Sequence, residues 1–159
     1  MANETATYRS WKKLPNNRIG RALFSVGLVA KAPYFGTVLP TVELLEPGHA
    51  VVTAPKWPGI HNHIGTFHAI AACNLAEAAM GVLQEVTVPP THRWIPKSMN
   101  VQYLAKAETG LRAVAKLAEL PDFSTITEGA ELIVPVSVYD KHGVEVVHAD
   151  ITTWVTPKH

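Results

Sequence analysis

The sequence predicts an α+β domain: a curved antiparallel sheet wrapped around a central helix, with an extra helix at the N-terminus. Three observations predict it. The chain has 159 residues, the size of one domain with a full hydrophobic core. A proline-free, Ala-rich apolar segment, residues 67–83, stands alone between β-type segments. After Pro89-Pro90 come further β-type segments with no helix between them, as antiparallel pairing requires.

The elements follow in order. Residues 1–16 are polar and read as loose or partly helical. Between residues 17 and 32, Ile19, Leu23, Val26 and Val29/Ala30 fall at helical spacing, so a helix is predicted there, ending before Pro33. This N-terminal extension, residues 1–36, is set apart from the sheet-and-helix domain, residues 37–159. Residues 37–46 and 50–54 read as strands joined at the Pro47-Gly48 turn. Trp57-Pro58-Gly59 opens a loop. Thr66 is the predicted N-cap of the central helix, which is apolar nearly all round and so is expected to be buried. Four strands close the chain as a meander, at 94–104, 110–120, 130–140 and 145–155. Lys141-His142-Gly143 supplies the last hairpin turn.

Composition narrows the function. Charged residues make up 17%, below the usual share of about 25%, which is consistent with a surface partly buried against another subunit. The formal net charge is +1, without the basic excess of nucleic-acid-binding domains. Disorder driven by net charge is excluded as well. The single cysteine, Cys73, precludes a disulfide within the chain, and a cytoplasmic protein is the simplest reading. On a buried helix Cys73 reads as a small hydrophobe. Lys12, Lys13, Arg18 and Arg21 precede the apolar run 22–30, and Ala30-Lys31-Ala32 has the form of a cleavage site. That segment reads either as an export leader or as an amphipathic helix packed on the domain; Ser25 and Gly27 within a short run favour the helix. No stretch approaches the ~20 apolar residues of a membrane span. No Gly-rich phosphate-cradling loop is present. His61, His63 and His68 make a poor metal site, because His61-x-His63 lies on a loop with few carboxylates nearby. Neither a metal nor a cofactor is expected.

The stretch that carries chemistry is Asn62-His63-Ile64-Gly65-Thr66-Phe67-His68-Ala69, followed by Glu77. It resembles the hotdog-fold acyl-CoA thioesterases of the phenylacetate-degradation type, and looks most like an uncharacterised, DUF4442-like branch of that superfamily. Those proteins carry an Asn, then Gly-Thr, then His-Gly-Gly opening the central helix, and an Asp or Glu nine residues after the His. Here Asn62 to His68 is six positions and His68 to Glu77 is nine. Residues 99–107 resemble the family's following strand with its Tyr-x-x-Pro-Ala ending, and Val138-Tyr139-Asp140-x-x-Gly143 fits its final turn. The resemblance covers roughly residues 40 to 157. Two departures stand out. His-Gly-Gly is His68-Ala69-Ile70 here, and Pro96 fills a slot where some relatives place Ser or Thr, with Ser98 two residues on.

The resemblance implies hydrolysis of a small, aromatic or medium-chain acyl thioester carried by coenzyme A or acyl carrier protein. It also implies a homodimer or a dimer of dimers with the active site at the interface. The chemistry fits the residues. A helix N-terminus presents free N–H groups and a positive dipole end, so the Ala69 N–H is a candidate oxyanion donor. Glu77 is the candidate general base or nucleophile. Asn62 would orient the substrate carbonyl, and His68 would brace the helix start or take part in catalysis. Gly65, Thr66, Ile70, Asn74 and Ser98 are candidate substrate contacts. Arg93, Lys97, Lys106 and Arg112 read equally as phosphate ligands or as solvated surface. Trp57, Trp94 and Trp154 read as core or interface aromatics.

Two other functions share the scaffold. One is an acyl-thioester hydratase or dehydratase using His68 and Glu77, although these lie on one helix. The other is a non-catalytic acyl-ligand-binding or oligomeric scaffold, for which Ile70 and Pro96 are the arguments. The exposure of Glu77 discriminates: a hydrolase needs its carboxylate facing a tunnel, whereas a scaffold would seal it by packing or an ion pair.

Overall fold

A computed structural model describes residues 4–158. The N-terminal segment is helical. Helix α1 spans Ala6–Lys13, and Thr5 caps it, its Oγ1 accepting the Tyr8 N–H at 3.1 Å. Helix α2 spans Arg18–Lys31, and the Asn17 side chain accepts from the N–H groups of Ile19 and Gly20. It stops at Ala32, before Pro33, as the sequence predicts. A 3₁₀ turn at Pro33–Val38 takes the first residues of the expected 37–46 strand out of the sheet. Strands β1 (Thr41–Glu46) and β2 (His49–Ala54) then form the expected hairpin, with Gly48 at φ +78 in its tight turn. Helix α3 spans Ala69–Thr87. Strands β3 (His92–Tyr103), β4 (Leu111–Lys116), β5 (Ala130–Tyr139) and β6 (Glu145–Pro157) complete the chain.

All six strands pair antiparallel, in the order β1-β2-β4-β5-β6-β3. The four closing strands are therefore not a simple meander. The chain leaves α3 at the far side of the sheet, so β3 pairs with β6 at one edge. Only β4, β5 and β6 run consecutively, and β4 returns to β2. Hairpin signals at 104–110 are silent on this, because a turn of that length serves a neighbour or a crossing equally well.

The two sheet edges are treated differently. Along β1, α2 packs over the edge. The Val42 N–H donates to the buried Ser25 Oγ at 2.9 Å, and Arg21 pairs with Glu43. An open edge invites association, and α2 blunts this one. The other edge, β3, is unpaired along its outer side over 12 residues. Pro96 sits there beside a register shift between Pro96 and Ser98. Proline has no N–H to donate, and an edge strand, bonded on one side alone, tolerates that loss.

The core lies between α3 and the sheet. Leu75, Ala76, Ala79, Met80 and Leu83 are fully sealed against valines and alanines of β1, β2, β4 and β5. Alanines on this side let the strands wrap close to the helix axis. The helix is not buried all round, however. Ile70 is 58% exposed, and Cys73, Glu77 and Gly81 are half-buried on the same side.

Candidate active site

The loop before α3 is built by Asn62. Its Nδ2 donates to Thr66 Oγ1 at 2.7 Å, while its Oδ1 accepts the N–H groups of Ile64 at 3.1 Å and Thr66 at 3.0 Å. Its main chain pairs with Thr66 as well, and Gly65 takes a positive φ of +77 in the bend. The loop is tied down by the Phe67 N–H donating to Ala107 O and the His68 N–H donating to Ile60 O, both at 2.8 Å. Asn62 thus spends its amide on the loop, and the Gly65 and Thr66 positions follow from that.

The helix N-cap is His68 rather than Thr66, because Asn62 already engages the Thr66 side chain. The His68 Nδ1 accepts the Ile70 N–H at 3.1 Å. A neutral ring with that bond carries its proton on Nε2. Ala69 is the first helical residue, and its N–H is among those an α-helix leaves without an internal partner. His68, Ala69 and Ile70 are all exposed, so this positive helix end is open to a ligand.

Glu77 lies two turns along. Its side chain lines a cavity of about 550 Å³ between α3 and the N-terminal helices. The walls are mainly apolar, including Phe24, Leu28, Phe35, Met80 and Trp94. None of the ion pairs among the described residues includes Glu77. Eight residues separate it from Ala69, about 12 Å along the axis at 1.5 Å per residue. One chain therefore does not bring Glu77 and the Ala69 N–H to one thioester. The Asn62–Ile70 cluster and the cavity thus lie apart along one helix.

Two other candidates stand apart. Asn74 is buried, and its Nδ2 donates to Thr37 Oγ1 at 3.0 Å and to Tyr34 O at 3.3 Å, tying α3 to the 3₁₀ turn. Ser98 is exposed on β3, opposite Thr152 of β6, and does not line the cavity. Cys73 is half-buried, with its Sγ 3.3 Å from the Tyr103 hydroxyl. That bond, aided by burial, pushes the tyrosine pKa up.

The cavity also holds residues that sequence reasoning passed over. Helix α1 contributes Ala6, Thr7 and Ser10, and α3 contributes Glu85, whose carboxylate accepts from Thr7 Oγ1 at 3.3 Å. A signal was present: Glu77, Gly81 and Glu85 recur every four residues, which places them on one face of the helix. Gly81 leaves room beneath the Trp94 ring.

The model of the DUF4442 family, a domain of unknown function, matches residues 20–155. The solved genomics structure APC5556 superposes with a TM-score of 0.81 at 39% identity, over 96% of this chain and 99% of that one. A Pseudomonas aeruginosa protein of unknown function, PA5026, described as a "probable thioesterase", gives 0.75 at 23% identity, over 82% and 91%. The Haemophilus influenzae thioesterase HI1161 gives 0.67 at 11% identity, over 78% and 82%. The last two likenesses show the shared hotdog fold. No curated protein matches the chain.

Proposed function

The chain belongs to the DUF4442 family on a hotdog fold, and on that premise we propose that it hydrolyses acyl-CoA thioesters at a site shared by two subunits. The observation that carries the reading is Glu77: a carboxylate that is in no ion pair among the described residues, set in the wall of a mainly apolar cavity of about 550 Å³. Mainly apolar walls with a few polar groups are the arrangement of a small-molecule binding site. The names of the similar thioesterase structures point the same way.

Glu77 acts as general base on water. The water oxygen attacks the thioester carbon, the C–S bond breaks, and the proton held by Glu77 passes to the leaving thiolate. Attack by the carboxylate itself, with water cleaving the anhydride, gives the same products. The oxyanion is held by the Ala69 N–H. Because the two groups lie about 12 Å apart along one helix, the Ala69 N–H comes from the partner. Pairing of two β3 edges supplies that partner as a two-fold dimer. Gly65, Thr66 and Ile70 then contact the thioester end, Asn62 and His68 hold the loop and helix start, and the acyl group of small, aromatic or medium length enters the cavity.

Thiol release from an acyl-CoA panel tests this. Glu77→Gln should lose about 10²–10⁴ in rate. Ala69→Pro removes only one N–H, at a position where proline suits a helix. His68, at φ −63 and ψ 135, already has the conformation a following proline prefers. That variant should lose about 10²–10³ and keep its melting temperature. Mixing the two inactive variants after refolding should restore about a quarter of wild-type activity, since half the dimers are mixed and each carries one intact site. A monomer in solution, or no recovery on mixing, removes the shared site. A folded wild type inert on the whole panel removes catalysis and leaves ligand binding.

A further inference from the structure

Helix α2 lines the cavity through Leu23, Gly27, Leu28 and Lys31, and it carries a second feature on its outer side. Its outward face is aliphatic. Ile19 is 68% exposed, Leu23 56% and Val26 67%. At 100° per residue these three lie within about 60° of arc. Ala22 and Ala30 flank them and are exposed too. No charged residue interrupts the stripe. Arg18 and Lys31 stand at its two rims, and Lys13 ends the neighbouring helix. All three cations are exposed, and among the described residues none is in an ion pair. The apolar residues whose spacing marks the helix thus point away from the core. The helix packs inward through Gly20, Phe24, Ser25 and Leu28 instead.

Charge is just as uneven. Residues 1–32 hold six Lys or Arg and one Glu, a net +5. The rest of the chain holds eight Lys or Arg and twelve Asp or Glu, a net −4. The near-neutral total hides a cationic layer on an anionic body. An aliphatic stripe rimmed by unpaired cations on a helix without a single acid is the pattern of an interfacial helix.

We propose that the α1–α2 layer is a docking surface for an anionic lipid bilayer. Ile19, Leu23 and Val26 enter the acyl-chain boundary, and Lys13, Arg18 and Lys31 lie in the headgroup layer. A second copy is a poorer occupant, because two +5 layers would face each other. A protein partner is poorer as well: the stripe is a row of aliphatic side chains, without the aromatic anchors on which protein interfaces draw. Helix α2 also walls the cavity through Gly27, Leu28 and Lys31. Docking would therefore bring the cavity to the membrane surface, where acyl amphiphiles partition. That consequence rests on the thioesterase reading; the docking itself does not.

The test is co-sedimentation of the full chain with phosphatidylcholine vesicles, with and without phosphatidylserine. Wild type should pellet only with the serine lipid, and raised salt should weaken the binding. The Lys13→Gln/Arg18→Gln variant should bind about 25-fold more weakly, about fivefold per removed cation. The Ile19→Asp/Val26→Asp variant should stay in the supernatant with an unchanged melting temperature, since both positions are exposed and neither lines the cavity. Failure of folded wild type to bind phosphatidylserine vesicles overturns the proposal, as does equal binding to neutral vesicles. A smaller oligomer on gel filtration of the Asp variant overturns it too, and makes the stripe an interface between copies.

Discussion

Helix α3 has two sides that obey different rules. Toward the sheet it presents Leu75, Ala76, Ala79, Leu83 and Gln84, all sealed from solvent. Away from the sheet it presents Ile70, Cys73, Glu77 and Gly81, all at least partly open, with the N-terminal helices standing off across a cavity. Small residues occur on both sides with opposite effect. On the sheet side alanine brings the strands close and fills the space. On the open side glycine leaves space unfilled. The same compositional bias therefore builds a core on one side and a cavity on the other, and what differs is the presence of a covering layer.

The comparison breaks most easily on the sealed side. Ala79 is fully buried, and the walls around it are β-strands that cannot move singly. Ala79→Leu should destabilise the protein by about 3 kcal/mol, the upper end of the usual overpacking cost. Urea denaturation reads this directly. A loss below ~1 kcal/mol would mean that the sealed side tolerates added volume and the contrast between the sides is wrong.

How far this was legible depends on which interactions wrote it. The hairpin at Pro47-Gly48, the closing strands and the Ala-rich helix are local patterns, and alternation or helical spacing shows them. The position of β3 was not legible, because its partner β6 lies far along the chain and pairing leaves no local mark. The N-cap fell on His68 because Asn62 had already claimed Thr66, a competition that no single position reveals. At the candidate site, the stretch from Asn62 to Glu77 stood out by its resemblance to a known motif, spacing included. That spacing concealed a separation of about 12 Å along one helix. The cavity itself was hidden because α1 and α2 form half its wall. The Ile19, Leu23 and Val26 spacing gave the helix but not its orientation. Periodicity identifies an apolar face but not what covers it, and here nothing among the described residues does.

A polar contact sharpens the comparison at intermediate size. Gln84 is fully buried, its Nε2 donating to Thr153 Oγ1 at 2.7 Å, while its Oε1 has no protein partner. Thr153→Val keeps the shape and strands the amide on both ends. The expected cost is roughly 2 kcal/mol, that of an unsatisfied buried group. Gln84→Leu in the same background should recover most of it, because an apolar pair of similar shape needs no partner. Thermal melts of the single and double variants check this, and additive losses would mean the two residues act independently.

The smallest effect has the opposite sign and probes the open side. Gly81 lies mid-helix on the cavity wall, and a Cβ there would meet the Trp94 ring at 3.7 Å, an ordinary contact. Gly81→Ala removes backbone freedom from the unfolded chain without a clash, so it should stabilise by about 0.5–1 kcal/mol. The methyl also fills part of the cavity beside Glu77, so the acyl-CoA profile should shift toward shorter chains, with about 1 kcal/mol lost per methylene that no longer fits. One added methyl at Gly81 stabilises while added carbon at Ala79 destabilises, and only an open side makes that difference in sign. Destabilisation at Gly81 would show the side to be closed. Stabilisation with an unchanged chain-length profile would show the cavity to be real but not the place where the acyl group binds.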